Sequence, residues 1–454
     1  MQNLFHPSLY RFDEAQPSYW EASAPAPDLH GRPLSGAESC EVAIIGGGYT
    51  GLSAALHLAR DFDTDVRILE AGHIGWGASG RNGGFCSMGS SKLSIETQIS
   101  KFGLEQTKYF HRCQKDAVHL VRALGDEEAI DYLAQGDGMF YVADSERHFQ
   151  KLKQRAEFQR SNFGFEIDCY TQSQFREIGY DSPHQHGAIR VKPSFALHPL
   201  RYVHGLARAA ERRGAQIHPH SRVLNWRKEG RDHLLETERG RLRAARVVLA
   251  ANGFMPEYLA CGIEGRPLPV QSAIVVSRPM SAAELKDRQW LTETPAVNSR
   301  HLYFYYRLLS DNRFLLGARA DQTGDPQSAE KTFACMQQSI ARMWPQFADL
   351  SYDYRWRGLV CLARNLRPSI GRMPEDKSIY FAYGYHGTGV STATWSGREL
   401  AKWLAGKESN DQIMPAHLPA IMQGRSPRFP LAFLRRHYVR ASIATYRLRD
   451  LLGI

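Results

Sequence analysis

Apolar and polar positions change period several times along the chain. Residues 1 to 39 keep no period and end in the Pro- and Gly-rich "APAPDLHGRPLSG", which predicts a loosely structured arm. From Cys40 the pattern turns abruptly regular. "EVAIIGGGYTGLSAALHLAR" is a β-branched run, a glycine turn, then a helix with leucine and alanine at helical spacing. "DVRILE" adds a second buried strand closing on Glu70. Residues 104 to 160 are amphipathic and helical, with "GMFYVAD" (138 to 144) a strand between them. "PLRYVHGLARAAERRGAQI" predicts a helix ended by Gly214 that feeds a strand. "ARVVLAANG" is fully apolar, as strands of parallel sheets are. Longer strands follow between Arg266 and Ala320, in "AIVVSRP", "HLYFYYRLL" and "RFLLGAR". "SIYFAYGYHGTGVSTATWSGRELAKWLAG" then repeats strand, glycine turn and helix.

This order predicts an α/β fold of two interleaved domains. A nucleotide-type domain would comprise residues 40–110, 185–265 and 355–410. A second domain of mixed strands would comprise 111–184 and 266–354, and a basic helical tail 411–454. A length of 454 residues accommodates two cores. The net charge of +10 is mostly dispersed among acids, which describes a solvated surface and not a nucleic-acid groove. Seven cysteines without a C-x-x-C pair suit a reducing compartment. The start, "MQNLFHPSLYRFDEAQPSYW", has no basic and apolar signal regions, so the expected location is cytoplasmic. No cysteine, histidine and carboxylate cluster has metal-ligand spacing. His184/His186 and His218/His220 read as solvated loop histidines.

Chemistry enters at the glycines. Gly46, Gly48 and Gly51 form G-x-G-x-x-G between a strand and a helix. That pattern supplies a tight turn, close approach of backbone to a pyrophosphate, and close helix–strand packing. The helix N-terminus adds free N–H groups and a positive dipole end. Glu70, at the end of the next strand, stands where an acid binds a ribose hydroxyl pair. NAD and FAD share this half-site. Two further stretches favour the flavin: "GWGASGRNGG" (75 to 84) lays bare backbone and Arg81 along a long cofactor, and Gly384-Tyr-His-Gly-Thr-Gly389 opens a second helix. A helix N-terminus there would stabilise negative charge on the N1/C2=O edge of a reduced flavin.

In "VAIIGGGYTGLSAALHLA", "ILEAGHIGWGASGRNGGF", "VVLAANG" and "FAYGYHGTGVSTATWSGRELA", taken in order, the chain resembles the FAD-dependent amine oxidoreductases of the D-amino-acid oxidase superfamily. The resemblance is to their γ-glutamylputrescine oxidoreductase-like branch, and covers roughly residues 40 to 410. It implies a glutathione-reductase-like (Rossmann-type) FAD domain beside a mixed β-sheet substrate domain, with the flavin at their boundary. It further implies that Gly46, Gly48, Thr50 and Gly51 hold the pyrophosphate and Glu70 the adenosine ribose. Ser79, Arg81, Asn82 and Gly84 would line the flavin side, Val223 the adenine side by backbone, and Gly387, Thr388, Gly389 and Val390 the pyrimidine edge. Glycine-oxidase-like members carry an arginine two residues after the glycine of a W-x-G motif, where this chain has Val360, which argues against a simple α-amino acid substrate. Cys361 has the wrong offset from Pro368 for covalent flavin attachment, so the FAD is expected to be non-covalent.

The reaction implied is oxidation of a primary or secondary amine, polyamine- or amino-acid-derived, by hydride transfer to flavin N5, giving imine and aldehyde. Oxygen or a quinone would take the electrons. In "YFYYRLL", alternation puts Tyr303, Tyr305 and Arg307 on one face. Arg307 is the candidate for an acidic substrate end, Tyr305 for an aromatic amine cage, and His386 for a neighbour of the flavin ring. Competing readings are a membrane-associated flavin dehydrogenase of a hydroxy acid or polyol phosphate, and an oxidase acting on modified transfer RNA. In the tail, Leu434, Tyr438, Ala441, Thr445, Leu448 and Leu452 recur at helical spacing amid arginines. That helix either packs its apolar stripe on the FAD domain or lies peripherally on the inner face of a membrane.

Overall fold

The apolar run before the first glycine turn becomes the end of a parallel strand, Gly36–Ile45, because Val42, Ala43 and Ile44 are covered on both faces. This is seen in a computed structural model that describes residues 4–255, 257–259, 262–406, 415 and 417–452. Parallel neighbours on either side are Val66–Leu69 and Gly240–Leu249. Gln216–His218 and Ile379–Tyr383 extend the parallel set, and Ser369–Arg372 and an antiparallel pair at 225–236 complete eight strands.

The helices that follow the two glycine turns, Tyr49–Phe62 and Gly389–Ala405, pack directly on each other. Gly397 permits it: a Cβ there would stand 2.4 Å from the Thr50 carbonyl oxygen. Both turns are thereby held at the same end of the sheet, the carboxyl ends of its parallel strands, where ligands bind in open α/β folds.

The second sheet also has eight strands, in the order Tyr352–Ala363, Pro267–Pro279, Arg313–Arg319, Tyr305–Leu308, Ala296–Asn298, Met139–Val142, Ala188–Val191 and Ile167–Tyr170. Ala296–Asn298 runs parallel to Met139–Val142, and the other pairings are antiparallel. One face buries Tyr306, Phe314 and Trp344 in a core with residues of the helix Pro326–Met343. The other face turns toward the first sheet.

The chain crosses from one sheet to the other and back more than once. Residues 355–363 and 188–191 pair within the second sheet. The helix Leu104–Glu127 runs through the expected boundary at 110 and lies against Gly389–Ala405, where Asp116 takes hydrogen bonds from Trp395 and Arg398. The N-terminal arm is not loose. Trp20 is 1% exposed and donates from Nε1 to the Asn82 carbonyl at 2.8 Å, and Trp76 Nε1 reaches the carbonyls of Arg11 and Glu14. Apolar anchoring and two short helical segments, Pro7–Tyr10 and Tyr19–Ser23, order it. His218 is also not a solvated loop residue: it ends a buried strand, and its Nδ1 lies 3.0 Å from the Arg32 carbonyl.

The tail does form a helix, Arg435–Leu452, but another face docks it. Arg435 and Val439 are buried, and Val439, with Ile443 of the same helix, packs on Leu268, Val270 and Leu362 of the second sheet. Ala441, Thr445 and Leu448 of the expected stripe are exposed, Tyr438 is partly exposed with its ring against Phe429, Leu434 is half-buried, and the side chain of Leu452 lies outside the described residues.

Candidate functional site

A cavity of about 1380 Å³ runs between the two sheets, from the first glycine turn past the second to the tyrosines of the second sheet. It is larger than the roughly 300–1,000 Å³ usual for a small ligand, which leaves room for a dinucleotide and a substrate together.

At the first turn, Gly46 has φ +111° and a Cβ would meet the Ala250 backbone at 2.9 Å, so only glycine fits. Gly51 does not line the cavity. Its place is structural, since a Cβ would stand 2.0 Å from the Gly46 carbonyl oxygen and part helix from strand. Glu70 accepts from the backbone N–H groups of Gly47 at 2.7 Å and Gly72 at 2.9 Å, while burial pushes its carboxyl upward. The Thr50 hydroxyl is engaged by Tyr385 at 2.6 Å, which ties the two glycine turns together at the cavity wall. Val223 lines the far end beside Tyr10, Phe12 and Tyr258, and its carbonyl accepts from the Tyr258 hydroxyl. The arm residues Tyr10 and Phe12 were not legible as site residues, because no periodicity marks them.

In "GWGASGRNGG", Ser79 Oγ accepts from the Tyr49 N–H, and Asn82 clamps the loop by donating to the carbonyls of Ala78 and Ser79 and accepting from Gly84 N–H. Gly84 itself faces away from the cavity: φ is +77°, and a Cβ would stand 2.0 Å from the Leu197 carbonyl oxygen. Arg81 is buried with its guanidinium 4.0 Å from the Trp76 ring. Its Nη2 has no hydrogen-bond partner, and burial pulls its pKa down to about 9. A buried guanidinium with an unpaired N–H is costly, and an anionic group in the cavity offsets that cost.

At the second turn, His386 at φ +54° and Gly387 at φ +98° reverse the chain, and the His386 N–H donates to the Cys361 carbonyl. The helix that starts at Gly389 has no side-chain cap, and a Cβ on Gly389 would meet nothing within 4 Å. Its first N–H groups are therefore available to a ligand. His386, Gly387, Thr388, Gly389 and Val390 all line the cavity. His386 is 0% exposed and neither ring nitrogen completes a hydrogen bond. Burial, and secondarily Lys92, push its pKa down to about 3, so the imidazole is neutral. The Cys361 thiol also borders the cavity, and burial holds it at about 12. A neutral thiol is a poor nucleophile, consistent with FAD held without a covalent bond.

On the substrate side, Tyr303 and Tyr305 face the cavity as alternation requires, with the Tyr305 ring lying across Gly317 and its hydroxyl 3.0 Å from Ser272 Oγ. Arg307 shares their face but not their site. It is 1% exposed beneath Gly84, donates from Nη2 to the Leu197 carbonyl at 2.8 Å, and lies over the Trp20 ring at 5.4 Å. Two residues of strand, about 7 Å, carry it past the end of the cavity. It therefore does not meet a substrate. The cations that do line the cavity include Lys92 and Arg319. Arg319 was legible in principle, because Gly317 pairs with Tyr305 and alternation puts Arg319 on the same face, but the pairing itself is tertiary.

Residues 41–403 match the family model described as FAD dependent oxidoreductase (DAO), and the chain belongs to that family. It is an FAD-dependent oxidoreductase. Among characterised sequences it is 30% identical over 407 residues to a probable oxidoreductase OrdL of Haemophilus influenzae, covering 88% of this chain and 90% of that one. It is 28% identical over 423 residues to the γ-glutamylputrescine oxidoreductase of Escherichia coli, covering 92% and 94%. The glycine oxidase of Geobacillus kaustophilus shares the fold at a TM-score of 0.68 and 22% identity, covering 82% of this chain and 96% of that one.

Proposed function

We propose that this enzyme oxidises a primary or secondary amine, polyamine- or amino-acid-derived, at the carbon bearing nitrogen. The observation that carries the reading is the tyrosine wall, Tyr303 and Tyr305, which lines the same cavity as the uncapped turn His386–Val390 and meets it at Gly387. Such a wall gives an alkylamine an apolar and π-rich surface. The similarity to the γ-glutamylputrescine oxidoreductase supports the same substrate class.

Bound non-covalently, FAD supplies a hydride acceptor at N5. Gly46, Gly48 and the Thr50 backbone would meet its pyrophosphate, Glu70 a ribose, and the start of the Gly389–Ala405 helix the pyrimidine edge. The neutral His386 ring offers a lone pair to an amine N–H. Lys92 and Arg319 disfavour a further positive charge nearby, which helps keep the amine in its neutral, reactive form. The tyrosines exclude water from the carbon that reacts.

The test is anaerobic bleaching of the bound flavin with a panel of alkylamines, ω-amino acids, hydroxy acids and polyol phosphates. Amines should bleach it. Bleaching by a hydroxy acid or a polyol phosphate and by no amine overturns the proposal in favour of the dehydrogenase reading. Stopped-flow reoxidation by oxygen and by a soluble quinone identifies the electron acceptor.

We also propose that the outer face of the C-terminal helix touches an anionic lipid surface. No described helix is long and apolar enough to cross a membrane. Yet Leu431, Phe433 and Leu448 are 61%, 73% and 56% exposed near the outward arginines Arg440 and Arg447. Co-sedimentation with phosphatidylglycerol vesicles that is lost at high salt and in Phe433→Ser supports the contact. Absence of co-sedimentation at low salt rejects it.

A further inference from the structure

Charge at the corner of the cavity shared by Lys92, Tyr303 and Arg319 is basic and unpaired. Of the other basic residues that line the cavity on this side, Arg300 is 3.4 Å from Asp144, Arg364 donates to the Arg428 carbonyl, and Lys151 and Arg155 are exposed on the helix Glu146–Phe163. Lys92 and Arg319 have no such partner among the described residues. Lys92 comes from the loop after the flavin-side glycines, its Nζ 5.5 Å from the centre of the Tyr303 ring. Arg319 ends the strand Arg313–Arg319, on the face it shares with Tyr305. The Tyr303 hydroxyl lies 3.4 Å from where a Cβ would stand on Gly387, so this corner adjoins the second glycine turn.

We propose that Lys92 and Arg319, with the Tyr303 hydroxyl between them, form a subsite for a carboxylate carried by the substrate away from the carbon that is oxidised. The reading rests on the amine oxidation proposed above and narrows its substrate to amines with a remote carboxylate. Lys92 is exposed and Arg319 half-buried, so water solvates both while they are unpaired, and an anion between them gains two charge-assisted hydrogen bonds. Both charges also depress the Tyr303 hydroxyl, with Lys92 the larger cause, and both act on His386, so they converge on one locus. The subsite differs in position from the W-x-G arginine that glycine-oxidase-like members use, where this chain has Val360. A substrate whose ammonium and carboxylate balance enters this basic chamber more readily than a plain diamine, which brings only positive charge.

The experiment uses the FAD-loaded protein and two readouts. Isothermal titration calorimetry with succinate, glutarate and adipate measures carboxylate binding without turnover. Steady-state kinetics compare 4-aminobutanoate with n-butylamine. At least one dicarboxylate should bind, and Arg319→Gln or Lys92→Gln should each weaken it by about tenfold or more, the loss expected for a charge-assisted hydrogen bond. KM for the amino acid should rise with little change for the neutral-tailed amine, Arg319→Lys should recover part of the affinity, and the exposed Lys331→Gln should change nothing.

Absence of dicarboxylate binding overturns the subsite, as does equal binding by the variants. Loss of FAD in either variant, read as flavin released on denaturation, also overturns it by assigning the cations to the cofactor. If dicarboxylate binding and its loss behave as expected while no amine bleaches the flavin, the amine reading fails and the anion subsite stands.

Discussion

At the scale of single residues, glycines and one histidine carry the sharpest expectations. A Cβ on Gly48 would meet only the Ser79 side chain, at 2.8 Å from Oγ, whereas a Cβ on Gly51 would meet the Gly46 backbone oxygen. Gly48→Ala should therefore keep its melting temperature and lose FAD affinity, while Gly51→Ala should be destabilised by about 2–3 kcal/mol through overpacking. Differential scanning fluorimetry and the absorbance of released flavin separate the two effects. His386 gives a pH expectation. Its folded pKa lies near 3, below the value of about 6.5 for an unfolded histidine. The unfolded chain thus binds the extra proton, and stability is lost as pH falls below about 6.5, by up to roughly 1.4 kcal/mol per unit. Above that range the ring stays neutral. His386→Gln should flatten the acid limb of stability against pH, and in kinetics it should lower kcat without moving any midpoint between pH 6 and 8.

At the scale of elements, the C-terminal helix is a wall of the site. It lies beyond residue 403, where the family match ends, and it contributes Tyr438, Val439, Ser442, Ile443 and Tyr446 to the cavity lining. Both of its ends are fastened. Arg435, 2% exposed, donates to Glu257 and to the carbonyls of Pro267 and Ala432. Asp450 accepts from the backbone N–H groups of His301 and Leu302. Because Glu257 keeps some contact with water, Arg435→Ala should cost about 3 kcal/mol, the low end for breaking a buried pair. Urea unfolding measures that loss. Removing only the outer latch, by Asp450→Asn, should leave stability within about 1 kcal/mol and raise KM by freeing the substrate end of the wall.

At the scale of the molecule, the two sheets are not separable bodies. The chain passes between them repeatedly, and the arm's Trp20 packs near both Trp356 of the second sheet and His198 of the first unit's helix cap. Unfolding by urea should thus be a single transition, with far-ultraviolet circular dichroism, tryptophan emission and flavin release coincident. Flavin release at lower urea than loss of secondary structure would show that the cavity opens before the sheets part.

The sequence by itself determined the strand, turn and helix units, because β-branched runs, glycine turns and helical periodicity are local in origin. It also marked the two glycine turns, since the positive φ of Gly46 and Gly387 and the approach of Gly51 to the Gly46 carbonyl are local. Tertiary structure alone decided which side chains share the cavity. Alternation aligned Arg307 with Tyr305, yet only the stacking of Gly84 and Leu197 over the strand shows that the cavity ends before Arg307 is reached. The same holds for Lys92 and Arg319, far apart in sequence and joined by no motif. Their proximity follows from the register of Tyr305 on Gly317 and from a loop hydrogen-bonded to Leu366, contacts that local chemistry does not encode. The tail shows the rule most plainly: helical spacing gave the helix, but the buried Arg435–Glu257 pair and the pocket for Val439 chose its face, because docking depends on the surface that receives it.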